Sequence, residues 1–136
     1  MTQQPLDSTE VAGRIEDLYG APLADLQAHA QNGPPGMLAA LLGIHSQLAF
    51  AEQSIAFHRE RLLHLVHPDR QFTSHDAPHV VDCARRLAEG IAVHAAQSQT
   101  AAAVLQSLVR TSAPAPTTAS AVPSPPVTAA HTSPSR

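Results

Sequence analysis

The sequence predicts an all-α protein: a long antiparallel helical hairpin with two short N-terminal helices packed on it, followed by a disordered C-terminal tail. Apolar residues recur every seven positions through residues 36–66 and again through 76–110, which is the spacing of helices that pack side by side. A proline-containing segment separates the two stretches. Beyond them the composition changes abruptly to Pro, Ala, Ser and Thr, so we expect a helical domain over 1–110 and an unfolded tail over 111–136.

Two short helices are predicted first. Either Asp7 or Ser8 can cap a helix over about residues 8–19, and Gly20 suits the left-handed residue that ends such a helix. Pro22 occupies the position that proline favours at a helix start, so the second helix covers about 22–32. Helices of this length are marginal alone, and we expect both to pack on the rest of the chain.

The third helix is predicted over about 36–66 and carries two columns of residues at heptad spacing that face the fourth helix. One column is Leu41, Leu48, Ile55 and Leu62, and the other is Met37, Ile44, Ala51, His58 and Leu65. The residue before Pro68 is pushed out of the helical conformation, so the chain is expected to turn within residues 67–74.

The fourth helix, predicted over about 76–110, carries three such columns. They are Val80, Leu87, His94, Ala101 and Leu108; Ala84, Ile91, Ser98 and Leu105; and Val81, Ala88, Ala95, Ala102 and Val109. Three columns in seven indicate a broad buried stripe, which suits a globular bundle better than the narrow seam of a two-stranded coiled coil. If the hairpin turns near residue 71, Ile55 is expected near Leu87 and Leu48 near Ile91.

A second apolar surface is predicted on the third helix. Phe50 and Phe57 lie on a different side of this helix from the two columns, with Leu42 and Leu63 nearer the flank. A helix that is apolar on two sides needs a neighbour on each. Either the two short helices cover this side, or two copies of the hairpin meet there as a homodimer. We therefore expect a protein partner or self-association.

Two histidines, His58 and His94, occupy column positions where apolar residues are expected. In the first interpretation each one hydrogen-bonds a neighbour across the bundle, with Ser98 or Gln47 as the partner of His94. In the second they form a pH-sensitive seam, because charging a buried imidazole at about pH 6 disfavours the packed state.

Histidine also concentrates at the predicted tip of the hairpin, together with the single cysteine. His64 with His67, and His79 and Cys83 with His75, form two groups whose spacings can each share a helix face, and imidazole with thiolate is a ligand set for zinc. In the heptad frame, however, His64 and His79 fall outside the columns, so the groups need not converge. The leading interpretation requires no cofactor, and zinc belongs to the alternative.

Arg85 and Arg86 are candidate anion contacts at the same tip. Acidic residues nearly balance the arginines there, so the alternative is a set of exposed ion pairs, which contribute little individually. A net charge of −3 and the lack of an aromatic stacking platform disfavour nucleic acid as a partner.

The motif content disfavours an enzyme, and no catalytic residue is assigned. The sequence has no Walker loop, G-x-S-x-G, H-E-x-x-H or G-x-G-x-x-G. Short apolar runs, one cysteine and an N-terminus without a signal pattern predict a cytoplasmic protein that does not enter a membrane. The expected function is a non-enzymatic helical interaction module: an adaptor, structural component or small regulator. The alternatives are a metal- or ligand-binding bundle and a weak nucleic-acid-binding regulator.

Overall fold

The computed structural model describes residues 4–112, and the predicted tail lies outside this range from residue 113 onward. The described chain contains four helices and no strand: Ser8–Tyr19 (α1), Leu23–Asn32 (α2), Met37–Leu65 (α3) and Ala77–Ser112 (α4). α3 and α4 pack against each other as an antiparallel hairpin, and α1 and α2 pack on α3. This confirms the predicted fold class. None of these helices combines the length and apolar character that crossing a bilayer requires.

The short helices are held in place by their ends. The Asp7 carboxylate accepts a hydrogen bond of 2.7 Å from the Glu10 backbone N–H and caps α1. At the other end Gly20 has a φ of 68°, a left-handed conformation that glycine adopts without strain. The Glu16 carboxylate accepts from the Leu23 N–H at 2.8 Å, so the last turn of α1 also caps α2.

The main core lies at the end of the hairpin where α3 begins and α4 ends, which we call the base. Side chains from all four helices and from the segment before α1 meet there. The buried members are Leu6, Val11, Ile15, Leu26, Leu41, Leu42, Leu48, Ala101 and Leu105. Because α1 and α2 supply a third layer, the base buries large aliphatic side chains completely.

The remainder of the hairpin, residues 53–93, projects beyond α1 and α2, and we call it the arm. Its buried seam is narrow: Leu65 and Asp76 are buried at the tip, and further along the arm the buried residues are the small Cys83 and Gly90. A Cβ atom added to Gly90 would lie 3.1 Å from Ile55 Cγ1, so even a methyl group here would require the Ile55 side chain to shift by a few tenths of an ångström. The arm is therefore held by close helix contact along one line.

This seam corrects the prediction for α4. Two of its expected core columns are exposed in the arm: Val81, Ala84, Ala88 and Ile91 face solvent, as do Ala95 and Val109 further along. The column of Cys83 and Gly90 faces α3 in their place, and Ile55 packs on Gly90. The sequence interpretation did not place Cys83 or Gly90 in any α4 column, whereas close approach of two helices requires small residues where they touch.

The tip of the hairpin is organised by Asp76. Its carboxylate accepts from the Thr73 N–H and the Thr73 hydroxyl, both at 2.9 Å, and pairs with Arg70 at 2.8 Å. The two Thr73 hydrogen bonds, assisted by the Arg70 charge, hold the pKa of Asp76 below its usual value. These contacts close the connection between α3 and α4 just before α4 begins.

Candidate interaction surface

One face of the hairpin is covered by α1 at the base. On α4 this face is formed by Ser98, Ala102 and Leu105, spaced by four and three residues. Ser98 and Leu105 are buried, and Ala102 is partly buried against the core that contains Val11 and Ile15 of α1. On α3 the same face begins with the buried Leu42.

The two stripes of this face continue into the arm with the same spacing but without a cover. Its exposed members, which we call the open face, are Ala56, Arg59 and Leu63 of α3 with Val81, Ala84, Ala88 and Ile91 of α4. Leu63 is 60%, Val81 67% and Ile91 53% exposed. Six of these seven side chains are apolar, and such a row on a helix pair is typical of a surface that packs against another helix.

Glu52 marks the boundary between the covered and open parts of the face. Its carboxylate accepts hydrogen bonds from the backbone N–H, at 2.7 Å, and the hydroxyl of Ser8, the first residue of α1. The same carboxylate lies 3.3 Å from His94 Nε2 on α4. One acidic side chain of α3 thus joins three helices, and its negative charge sits at the positive end of the α1 dipole.

The four predicted interaction residues separate into three settings. Leu63 belongs to the open face, whereas Leu42 is buried in the base core under the N-terminal helices. Phe50 and Phe57 are 73% and 58% exposed on the other side of α3, where neither α1 nor α2 covers them. The sequence interpretation missed the α4 half of the open face because it placed those residues in the core.

The two candidate seam histidines have different surroundings. His94 is half-buried against Glu52, not against the expected Ser98 or Gln47. His58 has a buried Nδ1 without a hydrogen-bond partner among the described residues, and its ring meets the Phe57 ring edge-on at 5.0 Å. A pH-sensitive seam stays a prediction for these two histidines.

The candidate zinc ligands are not brought together. Cys83 is a free thiol buried in the seam, while His67 is exposed beside Asp69. His64 and His79 line an open cleft at the tip. Across residues 4–112, no three His, Cys, Asp or Glu side chains are grouped as a metal ion would require.

Arg85 and Arg86 are engaged by neighbouring acids on the exposed side of α4. Arg85 pairs with Asp82 at 2.9 Å and with Glu89 at 3.0 Å, and Arg86 Nε lies 2.9 Å from Asp82. These hydrogen bonds, first from Arg85 and then from Arg86, lower the pKa of Asp82. The two guanidinium groups are therefore already occupied, as the ion-pair alternative expected.

Comparison of the chain with protein-family models, with curated proteins and with solved structures finds no match. The function is therefore inferred from the surfaces and contacts of the fold.

Proposed function

We propose that this protein is a non-enzymatic helical interaction module that associates with a second copy of itself through the open face. The observation that carries the proposal is the continuity of one hairpin face, which α1 covers at the base and which no other part of residues 4–112 covers on the arm. The arm uses the same apolar chemistry and the same spacing as the part on which α1 packs. A second arm completes the layer that α1 provides at the base.

The α4 half of the open face is self-complementary. Val81, Ala84, Ala88 and Ile91 follow the order large, small, small, large, with spacings of three, four and three residues. Two such rows meeting antiparallel about a twofold axis near residue 86 place each Val81 against Ile91 of the second copy, and each Ala84 against its Ala88. Small residues at the centre permit close approach, and large residues at both ends set the register.

The α3 half supports the same axis. Glu52 faces His94 across the hairpin, so residue 86 on α4 is level with about residue 60 on α3. A twofold axis at that level lies next to Arg59, whose exposed side chain can extend past the rim of the contact to solvent. The same axis brings Leu63 over the small Ala56 of the second copy, so no large side chains collide.

Ala88→Glu tests the surface. Glutamate is a good helix former and the position is exposed, so the monomer is expected to fold normally while two buried carboxylates prevent association. Ala96→Glu, exposed on the same helix but pointing away from the open face, is the matched control. Analytical ultracentrifugation at micromolar concentration should give a dimer for the wild type and control, and a monomer for Ala88→Glu.

A monomeric wild type at these concentrations contradicts the proposal. A dimer that survives Ala88→Glu but dissociates in Phe50→Ser also contradicts it, since association would then use the opposite side of α3.

A charge exchange tests the antiparallel geometry. Val81→Glu and Ile91→Arg are each expected to weaken the dimer, because each places a charge against an apolar side chain. Combined in one chain, the two substitutions face each other across the twofold axis, twice per dimer, and should restore association. A double variant that associates no better than the single variants would show that these residues do not meet.

A further inference from the structure

The tip of the hairpin contains an open cleft of about 410 Å³ that lies outside the open face. Its polar lining comes from three segments: Arg61 and His64 of α3, Arg70, His75 and Asp76 of the connection, and His79 of α4. The rings of His75 and His79 lie edge to face with centroids 5.8 Å apart. A cleft of this size is in the range of small-molecule sites.

The charges in this cleft favour an anion. Asp76 is its only acid, and that carboxylate is already occupied by Thr73 and Arg70. The ion pairs of residues 4–112 engage Arg14, Arg70, Arg85 and Arg86 and leave the Arg61 guanidinium free. Two guanidinium groups against one carboxylate give a net charge of +1 with all three histidines neutral.

We propose that this cleft binds the phosphate group of a small phosphorylated molecule. The Arg61 guanidinium offers parallel N–H donors that match two oxygens of a tetrahedral anion. The imidazoles of His64, His75 and His79 supply further N–H donors from two sides, and the positive end of the α4 dipole lies at the cleft. Leu65 gives the cleft an apolar wall.

Binding is expected to strengthen as the pH falls, because imidazole side chains gain a proton in the range of about pH 5 to 8. The groups that face these rings are Arg61 from α3, Arg70 and Asp76 from the connection, and Asp82 one turn further along α4. Asp82 is held by Arg85 and Arg86, and Asp69 points to solvent beside His67. The positive charge that the imidazoles gain on protonation is therefore available to interact with a bound anion.

Sulfate is the first probe, since it is a tetrahedral dianion whose charge does not change between pH 5.5 and 7.5. Titrations of the full chain followed by the NMR signals of the histidine rings should give an affinity that is several-fold higher at pH 5.5. Arg61→Gln should weaken sulfate binding roughly tenfold through loss of a charged hydrogen-bond donor. His79→Asn should reduce the pH dependence, and Arg110→Gln at the base is the control.

Glycerol 3-phosphate then tests the ligand class, and it should displace sulfate from the wild type but not from a site in Arg61→Gln. An unchanged affinity in Arg61→Gln, or one that does not vary with pH, would overturn the proposal. Equal shifts on adding chloride would overturn it as well, since they would report ionic strength alone. None of these outcomes depends on self-association.

Discussion

At the scale of single residues, Gly90 and Gly43 are two glycines inside long helices with opposite surroundings. A Cβ on Gly90 meets Ile55 Cγ1 at 3.1 Å, whereas a Cβ on Gly43 meets nothing within 4 Å. Glycine costs a helix about 0.5–1 kcal/mol relative to alanine through chain entropy. Replacing each glycine by alanine therefore separates two contributions to the free energy of unfolding: helix propensity alone at position 43, and propensity together with the contact between α3 and α4 at position 90.

Gly43→Ala is expected to raise the free energy of unfolding by about 0.5–1 kcal/mol. Gly90→Ala should gain less, because Ile55 must move, and the bulkier Gly90→Val should lower stability by about 1–3 kcal/mol through overpacking. Urea unfolding followed by circular dichroism measures all three. Equal gains for the two alanine variants would mean that α3 and α4 are not in close contact at Gly90.

Glu52 is the residue on which the attachment of α1 depends. Glu52→Ala removes the acceptor of the Ser8 N–H and hydroxyl and leaves His94 without its partner. We expect a loss of about 1–3 kcal/mol in unfolding free energy, the cost of leaving such groups unpaired. Amide exchange of α1 should accelerate as well. The neighbouring exposed Gln53→Ala is the control and should change neither measurement.

At the scale of elements, the tip connection should be sensitive to acid through Asp76. Its pKa is lower in the folded chain than that of an aspartate in the unfolded chain, so its contribution to stability is complete above the unfolded-chain pKa and is lost as the pH falls through the lowered one. Asp76→Asn should therefore show a smaller loss of stability between pH 6 and 3 than the wild type. Asp69→Asn, whose side chain is exposed, should follow the wild type.

Most of the helical elements could be predicted from the sequence, because caps, glycines and prolines mark their ends and the heptad columns mark α3. The columns of α4 could not be chosen correctly. Val81, Ala84, Ala88 and Ile91 are as apolar as true core residues, and only the approach of α3 to Gly90 shows which side is inside. The sequence also could not show that Arg61 and His79 line one cleft, because they lie on different helices and only the register of α3 against α4 brings them together.

At the scale of the whole molecule, stability should differ between the two ends of the hairpin. The base contains three packed layers, while the arm is a single seam, so arm amides should exchange faster at low protein concentration. Raising the concentration should slow exchange in residues 77–91 and leave the base unchanged. Hydrogen exchange with mass spectrometry checks this. Ala88→Glu should remove the concentration dependence, and its persistence would place the protected surface elsewhere.

The contact between Ser8 and Glu52 has a consequence for how this chain can change. It divides one continuous helical surface into a part that α1 covers and a part that is exposed on the arm. One extra helical turn ahead of Ser8 would cover about 5 Å more of the arm and shorten the contact available to a second copy. In the proposed dimer, the starting point of the first helix would therefore set how much of the arm two copies can share.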